Sequence, residues 1–391
     1  MNKSRIASID ILRGLVMIIM ALDHVRDYFH TQAFIYDPTD IDKTSLLLFF
    51  TRWITHFCAP VFMLLAGISA FISGQKKTKK ELSLFLIKRG LWLIFLELTI
   101  LNFAWFFNIH FSYIALQVIW ALGVSMICLS GLIYLPKKAI LFIGLILVAA
   151  HNLLDNFHVP GNNLEAFGWD ILHERRLLTF GNININTSYP LMPWIGLMAL
   201  GYCLGNIFTA GFDAEKRKRI LIYSGSASVL LFIILRFINI YGDLIPWSQQ
   251  SSGVFSFLSF MNVTKYPPSL DYLLITAGPA LFFLAFTENL SNWFTKIIST
   301  YGRVPLFYYL IHIYIIHLLA MLAAALTGYG WTDMTSFTKG IHFVTSLKGY
   351  GFSLGIVYLI WITVVVSLYP ICKWYDGYKI KHKEKWWLSY L

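Results

Sequence analysis

Long apolar runs, broken at intervals by short polar stretches, set the pattern of this chain. The runs lie near residues 8–29, 46–73, 84–107, 112–134, 138–154, 189–209, 219–240, 268–288, 304–327 and 350–372. Each is close to the roughly 20 residues that a helix needs to cross a bilayer. Backbone groups in lipid must be satisfied within their own segment, and unbroken apolar runs point to helices rather than a barrel. The pattern therefore predicts an all-α, polytopic integral membrane protein with about ten transmembrane helices. No soluble domain, repeat or low-complexity segment interrupts it, so residues 1–391 are expected to form a single transmembrane domain.

Composition changes this picture little. The 391 residues are 57% hydrophobic and 13% charged, whereas soluble domains carry about 25% charged residues. The net charge of +11 would suit a nucleic-acid partner, but its distribution argues for the lipid bilayer instead. Lys3 and Arg5 precede the first run. Lys76, Lys77, Lys79, Lys80, Lys88 and Arg89 follow the second, Lys137 and Lys138 the fourth, and Lys216, Arg217, Lys218 and Arg219 the sixth. Lys296 and Arg303 follow the eighth, and Lys373, Lys379, Lys381, Lys383 and Lys385 fill the tail. With ten spans, all fall on one side, which the positive-inside rule makes cytoplasmic. Both termini are then cytoplasmic, and no nucleic acid is expected as a partner. The opposite loops are more acidic: Asp37, Asp40 and Asp42 stand against Lys43, and Asp155, Glu165, Asp170 and Glu174 against Arg175 and Arg176. The first run contains Arg13 and lacks a small-residue cleavage site, so it is expected to remain as a span. Trp386 and Trp387, beside the tail lysines, read as an interfacial anchor.

Ionisable residues inside the runs mark the candidate chemistry, because charges at membrane depth usually face a protein interior or a wet cavity. The first run has Asp10 and Arg13 near one end and Asp23, His24, Asp27 and His30 near the other. Helical spacing puts Arg13 and His24 on one face, roughly 16 Å apart. In the second run Arg52 and His56 are four apart and share a face, with Pro60 expected to kink the helix just beyond them. The loop between these runs is short, so His24, Asp23, Asp27, Arg52, His56 and His30 form a candidate cluster. Arg52 would pair with Asp23 or Asp27, and a carboxylate would orient His24. Glu97 lies mid-run, where a carboxylate suggests function or a buried Arg or Tyr partner. Gln117 reads as a helix-packing hydrogen bonder, with lining a pathway as the alternative. Gly302 and Arg303, beside a helix start at Pro305, suggest a phosphate site. Tyr308 and His312 share a face, whereas His317 points elsewhere. Cys58, Cys128, Cys203 and Cys372 lie in or at the ends of apolar runs and show no metal-ligand spacing, so no metal is expected. Asn186-Thr187-Ser188 formally reads as a glycosylation acceptor.

Four stretches carry a family resemblance: Ser8–Gly14, Thr51–Pro60, Tyr189–Gly196 and Gly302–Tyr309. They resemble bacterial membrane proteins of the heparan-α-glucosaminide N-acetyltransferase-like family. The Arg13–His24 spacing is also similar to an Arg–His pattern of membrane glycan O-acyltransferases. The resemblance implies transfer of an acetyl group from cytoplasmic acetyl-CoA to an extracytoplasmic saccharide acceptor, an amino sugar or glycan, across a cell inner membrane. It implies an essential histidine. The lysosomal members place theirs slightly later than His24, which keeps His30 in play. Asp23 or Asp27 would hold the histidine tautomer, and Arg52 would stabilise the oxyanion. On the same resemblance, Asp10, Arg13, Lys88, Arg89, Gly302, Arg303, Tyr309 and His312 are candidates for the CoA side, and a homodimer is one candidate assembly. A long, mostly uncharged pantetheine arm suits the roughly 21 Å of helix between Asp10 and His24. The alternative reading is a proton-coupled secondary transporter of a small polar substrate, using the same charges as a relay.

Overall fold

The computed structural model describes residues 7–335, 344–385 and 388. Lys3 and Arg5, and the Trp386–Trp387 anchor, lie outside the described residues. The chain is mostly helical. In order it forms α1 (Ala7–Phe29), α2 (Leu46–Trp53), α3 (Cys58–Gly74), α4 (Lys79–Leu96) and α5 (Asn102–Phe106). There follow α6 (Val118–Leu132), α7 (Lys137–Ala149), α8 (Leu164–Leu172), α9 (Leu191–Leu204) and α10 (Ala214–Ile238). The last are α11 (Gly253–Met261), α12 (Leu270–Thr287), α13 (Trp293–Arg303), α14 (Pro305–Leu326) and α15 (Leu354–Lys381). Capping residues set several starts. Thr78 and Glu81 form a reciprocal capping box at α4, and Asp213 and Ser269 cap α10 and α12. Each satisfies backbone N–H groups that have no partner within the helix.

The expectation of an all-α fold needs one correction. Three short strands, β1 (Tyr113–Ala115), β2 (Leu177–Phe180) and β3 (Ile183–Asn186), make a sheet in the order β1-β3-β2. β1 runs parallel to β3 and β2 antiparallel to it. The expected span at 112–134 therefore begins as a strand and becomes helical only at Val118. Among the described residues, six helices are long and apolar enough to cross a membrane: Leu46–Gly74, Leu191–Phe208, Ala214–Ile238, Leu270–Thr287, Pro305–Leu326 and Leu354–Lys381. This makes the chain a multi-pass membrane protein. The other four expected spans are helical too, but differently built. α1 and α4 carry charges at their ends, and α6 and α7 have 15 and 13 residues.

α1 is the axis of the molecule. It packs against α3, α12, α13, α14 and α15, and Ile11, Val16, Met17, Ala21, Val25 and Tyr28 are buried along it. By contrast α10 turns Leu230, Ile234 and Phe237 outward, as a lipid-facing helix does. The approach of α13 to α1 is backbone to backbone. A Cβ on Gly14 would sit 1.9 Å from the Ile298 carbonyl oxygen, and one on Gly302 would sit 2.0 Å from that of Asp10. Two of the family-like stretches thus meet face to face, and only glycine allows it.

The basic loops gather at one end. Lys79 donates to the Tyr134 carbonyl at 3.2 Å, Lys137 lies over the Phe71 ring, and Arg217 pairs with Glu288. Arg13 of α1 and Lys379 of α15 line one cavity at that end.

Candidate active site

Two cavities lie along α1. The first, about 310 Å³, is at the basic end. Its wall is largely apolar, with Met17, Leu86, Leu93, Ile119, Leu122 and Met126, and Arg13, Arg89, Arg303 and Lys379 stand around it. Arg13 donates to Asp10 (3.2 Å), to the Gly302 carbonyl (3.0 Å) and to Ser69 (3.2 Å). Arg303 pairs with Asp376 at 2.7 Å. The second cavity, about 230 Å³, lies at the opposite end and is lined by His24, Asp23, Asp27, Arg52, Lys265 and Tyr266 among others. The small sheet contributes Tyr113, Ala115 and Asn186 to its wall.

His24 is where the second cavity meets helix α14. Its Nδ1 is 2.7 Å from His312 Nε2, and the rings stack at 5.0 Å between centroids. His312 Nδ1 is 2.9 Å from the Tyr308 carbonyl oxygen. A carbonyl only accepts, so His312 Nδ1 carries a proton and its Nε2 is an acceptor. His24 Nδ1 must then carry the next proton, which leaves the lone pair on His24 Nε2. Trp105 stands edge-on to the His24 ring at 4.7 Å and Tyr309 at 6.0 Å. Trp105 Nε1 donates to the Tyr309 hydroxyl at 3.4 Å.

The carboxylates do something other than orient His24, which corrects that expectation. Asp23 receives Arg26 at 2.8 Å and Arg52 at 3.2 Å, with Lys265 Nζ 3.9 Å away. Asp27 receives Arg26 at 2.7 Å. The expected Arg52 partner is thus Asp23, and Arg52 also donates to Thr55 at 2.7 Å. In the second cavity the loop carboxyl of Asp37 feels burial, which would raise it. The Arg52 guanidinium and the Thr39 hydrogen bonds outweigh burial and hold it below the usual carboxylate range. Tyr266, in the loop before α12, behaves similarly: burial would raise its phenol, but Lys265 and Arg52 keep it below its ordinary value.

Other predicted positions scatter. His56 is buried in the 3-10 turn between α2 and α3, with its ring 5.4 Å from Tyr272, and is not part of either cavity wall. His30 is buried beyond the end of α1, where its backbone bridges to Phe352. Burial, with Arg26 nearby, pushes it down to about 4. Lys88 is exposed and does not line the first cavity, while Arg89 does. Gly302 is buried against α1 and offers its carbonyl to Arg13 rather than an N–H to a phosphate. Among the described residues Glu97 makes no hydrogen bond to an Arg or a Tyr. It lies on a π-helical turn (Glu97–Leu101), and its Oε2 accepts from the Ile119 and Trp120 N–H groups at 3.0 Å each. That makes it the acceptor for the unpaired first turn of α6. Gln117 is not mid-helix; it precedes α6 in extended backbone and lines the second cavity. Asn186 is half-buried and donates to Tyr113 at 2.8 Å, so it is a wall residue rather than an exposed glycan acceptor.

The chain matches, over residues 5–241, the family described as heparan-alpha-glucosaminide N-acetyltransferase, catalytic. It belongs to this N-acetyltransferase family. The membership points to an acetyltransferase and does not favour a transporter. No curated protein matches the chain. The match to the acetyltransferase family takes in α1 to α10 and therefore His24, Asp23, Arg52 and Glu97, but ends before α14, which supplies Tyr309 and His312.

Several wall residues of this acetyltransferase left different marks in the sequence. Arg26 stood in plain view within the Asp23–Asp27 run, at the i+3 spacing of an ion pair. Lys265 is a lysine on the side depleted of them, which is itself a signal. Nothing in the apolar pattern singles out Trp105.

Proposed function

We propose that this protein takes an acetyl group from acetyl-CoA at the basic end and delivers it to an amino sugar or glycan at the other. The basic loops support a cytoplasmic first cavity, and the reading puts both termini on that side of a cell inner membrane. The observation that carries the reading is that the two cavities share wall residues beside His24. The first cavity suits CoA: a narrow, mostly apolar channel for the pantetheine arm, with cations at its rim for the phosphates. Arg13, Arg89, Arg303 and Lys379 are the residues for that rim. The second is polar and ringed by ion pairs, which suits a saccharide.

In this reading His24 Nε2 accepts the proton of the acceptor amine or hydroxyl as its nitrogen or oxygen attacks the thioester carbonyl. The carbon–sulfur bond then breaks, and the proton passes from the imidazolium to the departing CoA thiolate. Tyr309 is placed to help. Its hydroxyl accepts from Trp105, which leaves its own proton for the developing oxyanion. His312 acts through His24, as a positioning residue.

The test is the melting temperature of the purified protein in lipid nanodiscs. Acetyl-CoA or CoA at 100 times its Kd would stabilise it by about 2.7 kcal/mol, with a smaller shift for dephospho-CoA and none for adenosine. Equal shifts with all four ligands, or none with CoA, would count against the reading.

A further inference from the structure

Three side chains wall both cavities: Phe62 from α3, Val118 from the first turn of α6 and Tyr309 from α14. The two cavities adjoin at these residues, and in the transferase reading they are the partition an acyl group crosses on its way to His24. Two of the three are firmly held. Tyr309 is anchored by Trp105 Nε1. Val118 opens a helical turn whose next two N–H groups, of Ile119 and Trp120, are tied to the buried carboxyl of Glu97 on its π-helical turn. A π-helical turn is an uncommon element that clusters at functional positions, and here it fixes the start of the helix that carries Val118.

Beyond the partition the chemistry changes abruptly. On the basic side the lining offers Met17, Leu86, Leu122 and Met126; on the other it offers Asp23, Arg26, Arg52 and the His24 ring. For transfer, the thioester carbonyl has to come within hydrogen-bond reach of groups that themselves contact His24. The acyl tail must then lie in or past the partition. In this reading the acetyl methyl lies against Trp105 and Tyr309, the two rings that stand edge-on to His24. Each further methylene has to press on the three partition residues or cover charged groups and strip them of water.

We infer that Phe62, Val118 and Tyr309 set the acyl-chain length this protein transfers, admitting the two-carbon acyl group and rejecting longer ones. The inference rests on the reading of the site as an acyl-CoA-dependent transferase. Val118 is the sharpest lever, because it is the smallest of the three and can be changed in both directions. One methylene in such a pocket changes kcat/KM by about 10- to 200-fold.

The experiment uses the full chain in nanodiscs, with acetyl-, propionyl- and butyryl-CoA as donors and a fluorogenic glucosaminide as acceptor. The unaltered protein should favour acetyl over butyryl by about tenfold or more, and Val118→Ala should reduce that ratio by about tenfold. Phe62→Leu should reduce it too, and Val118→Ile should raise the acetyl-to-propionyl ratio. A retained melting shift with CoA shows that a variant is folded, and Phe62→Leu carries the test if Val118→Ala is not. Ratios constant to within about twofold in every folded variant, with acetyl transfer intact, would overturn the inference and leave the transferase reading standing. Butyryl transferred as fast as acetyl by the unaltered protein would do the same. No transfer from any acyl-CoA by the unaltered protein would remove the transferase reading, and the length selection with it.

Discussion

The two cavities sit on the same helix and differ in how their charges are used. At the basic end Arg13 and Arg303 are each tied to a neighbouring carboxylate, Asp10 and Asp376, at the rim of a greasy channel. At the other end Asp23 alone gathers Arg26, Arg52 and Lys265, inside a cavity that also holds His24. Rim charges that keep contact with water cost little and steer an anionic ligand. Buried charges must be paired, and removing one partner strands the others. Arg13 and Asp10 are enclosed almost as fully as Arg52 and Asp23, but the Arg303 side chain is 27% exposed. Arg303 should therefore tolerate substitution with a graded loss of donor binding, whereas the Asp23 cluster should fail abruptly.

The largest effect is expected where chemistry and burial coincide. His24→Ala should lower transfer by roughly 10²- to 10⁴-fold with donor binding retained, read from initial rates and from the CoA melting shift. Activity left intact in this variant would move the base elsewhere, and with it the contrast between the two ends. Next is the ion cluster. Asp23→Ala leaves Arg26, Arg52 and Lys265 without their shared partner and should cost about 3–5 kcal/mol of stability. Thermal unfolding in nanodiscs measures it, and Arg303→Ala, at the rim, should cost clearly less. Equal losses would erase the distinction drawn here.

His312→Leu comes third. It removes the acceptor of His24 Nδ1–H, an unsatisfied buried donor worth about 1–3 kcal/mol. The expected result is a lower kcat with little change in KM for the donor, because His312 lies outside the walls of the donor cavity. An altered pH profile of kcat separates this positioning role from simple loss of packing. The smallest effect concerns His30. Its folded value is about 4 against an ordinary value of 6.5, so the unfolded chain binds more protons between those limits. Its contribution to stability is full above pH 6.5 and is lost as pH falls towards 4. His30→Asn should flatten that part of the curve of melting temperature against pH.

Much of this was legible in the sequence. Each of the ten apolar runs contains a helix, six of them long and apolar enough to cross a membrane among the described residues, and the clustering of Lys and Arg between alternate runs foretells one basic end. The co-location of His24, Asp23 and Arg52 follows from two adjacent helices joined by a short loop. The limits of such reading show at particular residues. His30 and His56 look as eligible as His24 in the chain, since all three are histidines near the same end of α1 or its neighbour. What separates them is that His24 lines a cavity, whereas His56 packs against Tyr272 and His30 is buried beyond α1, outside both cavity walls. Glu97 and Gln117 lie within apolar runs, but Glu97 sits on a π-helical turn and Gln117 in extended backbone before α6, which the runs do not show.

Apolar periodicity and the placement of Lys and Arg determined by themselves that this chain crosses a membrane many times with its basic loops together, because transfer of side chains and backbone out of water depends on local composition alone. The family-like stretches on α1, on α2 and α3, and at the start of α9 likewise lie within contiguous residues. The proton-bearing pair His24–His312 spans 288 positions, and the partition of Phe62, Val118 and Tyr309 draws on three helices. The first depends on where α14 lies along α1, and α14 follows directly on α13, whose backbone touches α1 at Gly14 and Gly302. No local pattern encodes such a distance; it emerges only when the helices pack.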